Sequence, residues 1–309
     1  MTSTTQPVPV PVVARPTSTR ERWARRSPLL PALVFTLVLT QIPFLLTIFY
    51  SFQNWNLLTA TPRTFAGIDN FRNTVSDDVF WKSIWNTLVL TGVSTAACLA
   101  LGLLLALTLQ KQFPGRGIAR TLAITPFFVM PVAVALFWRS AVFDPSFGIL
   151  GWLSDLVGLG RVNWLSEQPM TSIILITAWR WTPFAMLVLL AGLQAMPDDQ
   201  LEAAEVDGAS WWQQFRHLLL PHLRPFIELS ALLLSMNIIQ TFGEIALLTA
   251  GGPAYGTTNI TYYVYLRAFN AFDFGTASAY GLVALVLTIA LAMPALRLLS
   301  GIFQAEGRR

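Results

Sequence analysis

The chain has 309 residues, 54% of them hydrophobic and only 12% charged. Soluble proteins carry about a quarter of their residues as charges, so the chain stands outside soluble norms and has length for several membrane spans with little left for a separate soluble domain. The net charge of +4 is small, and its distribution along the chain says more than its sum.

Residues 1–28 are rich in Thr, Pro and Val and then basic, at Arg15, Arg20, Arg22, Arg25 and Arg26. This composition predicts a disordered, basic cytoplasmic tail. A signal peptide and a nucleic-acid-binding arm are the rivals. The apolar run that follows, Leu29 to Phe52, is too long for a signal core and has no small-residue cleavage site. It holds no charge and, at ~1.5 Å per residue, crosses a bilayer as a helix.

Five further spans are expected at Trp85–Leu109, Thr121–Val142, Thr171–Gln194, Phe226–Thr249 and Thr276–Leu299. Pro43, Pro126, Pro131, Pro183 and Pro294 fall within spans, where neighbouring helices satisfy freed carbonyls at a kink. Of the 20 basic residues, only Arg63, Arg72, Lys82, Arg161 and Arg267 lie in the segments that would be outside if the N-terminus is inside. That imbalance follows the positive-inside rule and returns the C-terminus to the cytoplasm. The pattern therefore predicts an all-α, multi-pass membrane protein with six spans, residues 29–300, and a short cytoplasmic tail at 301–309.

Outside the spans, Phe80, Trp81, Ile84 and Trp85 have helical spacing and read first as an interfacial aromatic belt. The second outer loop, Asp144–Gln168, is glycine-rich. The third, Ala250–Gly275, begins with Gly251-Gly252-Pro253 and carries Tyr255, Tyr262, Tyr263 and Tyr265. Either loop suits an external partner or simple interfacial anchoring.

Several chemistries are missing. The two lysines, Lys82 and Lys111, do not follow a glycine, so no phosphate-cradling loop exists in this chain. Any ATP and Mg would be bound by a partner, and no cofactor is expected here. There is no serine nucleophile elbow or His-Glu-x-x-His zinc site. His217 and His222 lack the companions of a metal site. The single cysteine, Cys98, cannot form an intrachain disulfide.

Two intramembrane features call for a role. In the fifth span, Asn237, Gln240, Thr241 and Glu244 stand at i, i+3, i+4 and i+7, predicting one hydrophilic helix face, with Ser230 on the same face. Interhelical hydrogen bonds are one use, worth about 0.6 kcal/mol per pair. Lining a wet passage is the other, and the density of polar groups favours it. In the fourth span, Arg180 sits in W-R-W-T-P-F. A central arginine costs about 2.5–3.5 kcal/mol on insertion scales, so a pair with Glu244, snorkelling or contact with solute is expected. Trp179, Trp181 and Phe184 beside it offer faces that suit sugar rings. Arg139 is expected to pair with Asp144 or to anchor at the interface.

The long polar stretch 195–225 separates spans four and five. Asp198 or Asp199 would cap a short helix, with Glu202 completing a capping box from Asp199. Gly208 would break the helix. Ser210 and Gln213 form a second capping-box pattern, and Pro221 would stop the second helix. Trp211, Phe215 and Leu218 share a face of that helix.

This stretch resembles the E-A-A-x-x-x-G-(nine residues)-I-x-L-P signature of permease subunits of binding-protein-dependent ABC importers, through Glu202, Ala203, Ala204, Gly208, Leu220 and Pro221. Leu218 replaces the usual isoleucine. D-N-F at Asp69, F-W-R-S-x-x-F-D at Phe137, W-x-x-T-P-F at Trp179 and L-L-T-x-G-G-P at Leu247 are similar to the carbohydrate branch. The resemblance implies a type I importer permease fold in the bacterial inner membrane. Its implied partners are a second homologous permease, two ATPase subunits and an extracytoplasmic solute-binding protein, with no nucleic acid. It implies that Glu202, Ala203, Ala204, Glu205, Asp207, Gly208, Trp211, Phe215 and Pro221 couple to the ATPase. The cargo would be a sugar, oligosaccharide or polyol, with glycerol 3-phosphate as the alternative if Arg180 faces an anion. Arg180, Trp181, Phe184, Asn237, Gln240, Thr241 and Glu244 are the candidates for the passage. An ATP-independent secondary transporter and a membrane-embedded enzyme using Glu244 and Arg180 are the rivals of another class.

Overall fold

A computed structural model of the chain describes residues 30–59, 62–158 and 160–304, without the side chains of Asp198 and of residues 291–304. The tail expected at 1–28 and the end of the 301–309 segment lie outside the described residues.

In lipid, an apolar run must satisfy its backbone internally, and a helix does so. Helix α1 (Leu30–Ser51) is charge-free and passes through Pro43. Residues up to Phe49 form a unit of their own. A second unit begins at Tyr50 with an antiparallel pair, β1 (Gln53–Asn54) and β2 (Thr64–Phe65), in which Gln53 faces Phe65. A short helix α2 (Asp69–Val75) leads to the long α3 (Asp78–Gln110). Arg116 Nε and Arg120 Nη2 donate to the Leu109 carbonyl at 2.8 and 3.1 Å. They place positive charge on the negative end of the α3 dipole.

The third expected span is not one helix. It divides into α4 (Arg116–Phe128) and α5 (Pro131–Phe137, continued by a π-turn at Trp138–Val142), bent by 101°. Pro131 explains the break: it has no N–H to donate, and Met130 before it is held extended at ψ 138°. Helices α6 (Ile149–Leu156) and α7 (Trp164–Glu167) precede α8 (Pro169–Gln194), which runs on through Pro183. Next come α9 (Asp198–Val206), α10 (Trp211–Gln214) with a π-turn at Phe215–Leu219, and α11 (Leu220–Ile238). The chain closes with α12 (Gly243–Leu248), α13 (Ile260–Tyr265), a π-turn at Leu266–Asn270 and α14 (Phe274–Gln304).

The fifth expected span is also broken, because α11 ends at Ile238 and α12 starts at Gly243. Among the described residues, four helical runs are long and apolar enough to cross a membrane, and the bent pair brings the number to five. The described apolar part of α14 is shorter, Phe274–Ala290.

Helices α3, α8 and α11 form the centre of this second unit. Ile173, Ile176, Ala185, Leu90, Leu234 and Ile238 make one buried cluster, and Ala106, Leu109, Met186, Leu189 and Leu223 another. Glycine permits the closest approach: a Cβ on Gly102 would lie 2.6 Å from the Ala185 Cβ. Small residues are the means by which helices approach in lipid.

A charged knot ties α3 to the chain's last third. Asp77 caps α3 by accepting the Val79 N–H at 2.9 Å. Its other oxygen accepts the Tyr263 hydroxyl at 2.6 Å, Arg267 Nη2 at 3.0 Å and the Tyr280 hydroxyl. Tyr263 therefore belongs to the interior rather than to a surface belt. Phe80 and Ile84 point inward, while Trp81 and Trp85 are exposed, as interfacial anchors would be.

Burial works to raise the Asp77 pKa, but the Tyr263 and Tyr280 hydroxyls, the Val79 N–H and the Arg267 charge outweigh it and hold the carboxyl below its ordinary value. A lowered folded-state pKa contributes stability at pH values above the ordinary carboxylate value, and that contribution is lost as pH falls through the folded value. Asp77→Asn is expected to cost about 1.5–3 kcal/mol at neutral pH, the range for hydrogen bonds to a charged group. Thermal unfolding of the purified protein should show the gap between wild type and variant closing as the pH falls below the ordinary carboxylate value. A gap that does not change with pH would refute the role.

Candidate functional site

The 195–225 stretch folds as the sequence implies at its turn and differently at both ends. Helix α9 begins directly after Pro197, which holds the N-cap position, so Asp198 and Asp199 stand inside the first turn rather than at the cap and the expected Asp199–Glu202 box does not start the helix. Proline at the N-cap presents no side-chain acceptor for the first N–H groups, and the exposed start leaves those groups to water. At the other end of α9, Gly208 has φ +75°. Its N–H donates to the Glu205 carbonyl at 3.0 Å, and the Ala209 N–H donates to the Ala204 carbonyl at 2.9 Å. That pair of bonds closes the helix through a left-handed residue, for which glycine is suited.

Helix α10 then starts with the expected Ser210–Gln213 capping box. Pro221 does not stop the second helix. The π-turn at Phe215–Leu219 widens the backbone just before it, the Leu220 N–H reaches the Phe215 carbonyl, and the helix continues as α11. The wider turn relieves the clash that a proline makes with the preceding turn.

The loop has two faces. Leu201, Phe215 and Leu218 pack down onto the buried cluster of α3, α8 and α11. Glu202, Ala203, Glu205, Asp207, Trp211 and Trp212 face outward. Trp211 stacks on Phe215 with centroids 5.4 Å apart at 14°. The loop is tied to α8 where His222 Nε2 meets the Gly192 carbonyl at 3.0 Å. A Cβ on Gly192 would lie 2.7 Å from the Phe226 ring. Arg224 and Glu228 pair at 2.9 Å one turn apart.

Residues 98–305 match the model of the family described as binding-protein-dependent transport system inner membrane component. The chain belongs to that family. It is 33% identical over 266 residues to the trehalose/maltose transport system permease protein MalF of Thermococcus litoralis, covering 84% of this chain and 88% of that one. It is 32% identical over 265 residues to the trehalose transport system permease protein SugA of Mycobacterium tuberculosis, covering 84% of each. It superposes with a TM-score of 0.74 and 25% identity on a chain of a bacterial alginate ABC transporter solved in complex with an alginate pentasaccharide-bound periplasmic protein, covering 89% of this chain and 93% of that one.

Within the membrane part of this permease, the expected polar stripe does not form one face. The break after Ile238 separates its members. Asn237 and Gln240 are exposed and return their amides to the Leu233 and Met236 carbonyls at 2.8 and 3.0 Å. Thr241 and Glu244 are buried instead. Ser230 is also buried, and its hydroxyl has no partner among the described residues. The reason lies in Asn259 and Thr261, which the sequence reading passed over. Asn259 Nδ2 donates to the Thr241 carbonyl at 2.6 Å, and Thr261 Oγ1 to the Ile239 carbonyl at 3.2 Å. These bonds satisfy the carbonyls that the break frees, which irregular backbone at membrane depth requires. The polar run T-T-N-I-T at 257–261 was the available signal.

Arg180 Nη1 pairs with Glu244 Oε1, linking the middle of α8 to the start of α12. The Glu244 side chain is 4% exposed and that of Arg180 19%. Trp181, Phe184 and Phe127 form a half-buried aromatic group beside the pair, with Trp181 5.5 Å from Phe127. Arg139 and Asp144 do not pair. Arg139 Nη1 reaches the Leu247 carbonyl at 3.3 Å, while Asp144 Oδ1 accepts the N–H groups of Ser146 and Phe147. One Asp144 oxygen is taken up by its own backbone turn, and Arg139 lies outside ion-pair range of the carboxylate.

Removing one partner of a buried pair strands the other charge, at about 3–5 kcal/mol. Arg180→Met is expected to destabilise the protein by that order, whereas Arg180→Met with Glu244→Leu should recover most of the loss. Thermal unfolding in detergent reads both; equal destabilisation of the single and double variants would contradict the pairing.

Proposed function

We propose that this chain is the non-catalytic permease subunit of an ATP-driven importer for a neutral carbohydrate, in a bacterial inner membrane. The observation that carries the reading is the family match over residues 98–305, which takes in the whole acidic and aromatic loop. Permeases named for trehalose and maltose lie among the relatives over 84% of the chain, which supports the cargo class.

In this reading the helices cross the membrane six times, α14 included, with both termini and the 195–225 loop in the cytoplasm. The excess of arginine around that loop and tail supports the orientation. A second homologous permease completes the pore, a solute-binding protein delivers cargo outside, and two ATPase subunits bind ATP and Mg inside. The outward Glu202, Glu205 and Asp207 offer carboxylates to arginines of an ATPase subunit, with Trp211 as an anchor beside them and Phe215 stacked beneath it. Ala203, Ala204, Gly208 and Pro221 set the shape that presents them.

For the passage, Asn237, Gln240, Trp181 and Phe184 are the solute-facing groups. Arg180, Thr241 and Glu244 act by holding the break between α11 and α12 in place. Because Arg180 is committed to Glu244, nothing in its geometry favours glycerol 3-phosphate over an uncharged sugar.

Glu202→Lys and Gly208→Asp test the coupling in the assembled importer. Both are expected to release the ATPase in a detergent pull-down and to abolish uptake, while the permease still reaches the membrane at normal levels. Uptake that persists with both changes together would refute the coupling role.

A further inference from the structure

At the end of α8 remote from the 195–225 loop lies a cleft of about 430 Å³. Small-molecule sites run from ~300 to 1,000 Å³. It is built where the π-turn at Trp138–Val142, the tight 143–148 loop, α7 and the Gly252–Pro253 turn meet. Leu165 supplies an apolar wall, and five polar residues line much of the rest: Arg139, Asp144, Asn163, Ser166 and Thr249.

Three of these side chains keep bonding capacity toward the cleft. Asp144 Oδ1 is held by the Ser146 and Phe147 N–H groups at 2.8 and 3.0 Å, and its second oxygen has no partner among the described residues. Asn163 Oδ1 accepts the Ser166 N–H at 3.3 Å, and its amide nitrogen is unpaired there. Arg139 makes one long bond, to the Leu247 carbonyl at 3.3 Å, and faces no carboxylate within ion-pair range. Gly148 is what lets the loop close on itself: a Cβ there would lie 2.5 Å from the Asp144 carbonyl oxygen. The roof is pinned as well, since Thr257 Oγ1 donates to the Gly252 carbonyl at 3.1 Å and Thr258 Oγ1 to that of Gly251 at 2.9 Å. A site whose walls do not need ordering loses less on binding.

The chemistry of the lining selects its ligand. One guanidinium and one carboxylate leave the cleft without net charge, so an anion would meet Asp144 and a cation would meet Arg139. A ligand rich in hydroxyls suits both, because each hydroxyl donates and accepts. The free Asp144 oxygen and the Arg139 guanidinium can engage neighbouring hydroxyls, and the partly exposed Leu165 supplies a face for C–H groups. We infer that this cleft is an entry subsite for a neutral polyhydroxyl unit, a sugar ring of the cargo, held before it enters the helical bundle. The inference rests on the carbohydrate reading above.

The test uses the full importer in proteoliposomes with Ser166→Cys as reporter and Asn163→Cys as a second one. The native Cys98 is fully buried. The rate of modification by a water-soluble thiol reagent is measured with and without trehalose, and with glycerol 3-phosphate as an anionic control. A saccharide at about ten times its dissociation constant should slow labelling roughly tenfold by occupancy alone. Glycerol 3-phosphate should leave the rate unchanged, and Arg139→Ala with Asp144→Ala should remove the protection. Labelling that is indifferent to trehalose and to maltose overturns the subsite, as does protection given by the solute-binding protein but by neither sugar. Uptake is measured in the same vesicles. Absence of sugar uptake would sink the functional reading alone, since labelling reports the cleft independently of transport.

Discussion

Everything at the loop end of the molecule depends on how closely α8 and α11 touch at Gly192. Any side chain there would occupy the space of the Phe226 ring and of Leu223. Because glycine stands at that point, His222 can also reach the Gly192 carbonyl. The loop is thus anchored on its return side to the helix it left. Its underside, through Leu201 and Leu218, packs on the same buried cluster. Loop, α8 and the start of α11 have the contacts of one rigid piece. Force applied to the exposed acidic face has a packed route into two long helices, which is what a hinge or rocking transition requires.

The opposite requirement governs the interior. A helix break in an apolar run frees carbonyls that lipid cannot satisfy. Around Ile239–Phe242 the chain answers with Asn259 and Thr261 from the segment 250–275, and the Arg180–Glu244 pair fixes the far side. The break is therefore maintained by groups distant in sequence. It places Asn237 and Gln240 at an exposed bend while withdrawing Thr241 and Glu244 into the protein.

This contrast explains what could be read in the sequence. Local rules carried the Gly208 turn, the Ser210–Gln213 box, the pairing of Arg180 with Glu244 and most helix positions, because each depends on residues within a turn or on the cost of a lone charge. The rule of period 3.6 failed in the fifth expected span, since it presumes an unbroken helix and the break is stabilised from elsewhere in the chain. Pro131 was legible as a kink but not as a turn of 101°, whose size depends on what the two short helices pack against. Pro221 misled in the other direction: a π-turn, invisible to propensity, let the helix continue. The knot around Asp77 brings together residues up to 203 positions apart, and no local pattern announces it.

The orientation of the 195–225 loop is the point on which the functional reading turns. The direct measurement places a cysteine at the exposed Arg216 and compares its labelling by a membrane-impermeant thiol reagent in inside-out and right-side-out vesicles, before and after the ATPase subunits are stripped from the importer. Labelling should occur in inside-out vesicles alone and be blocked when the ATPase subunits are bound. Labelling of intact right-side-out vesicles would put the loop outside the cell and contradict the assignment.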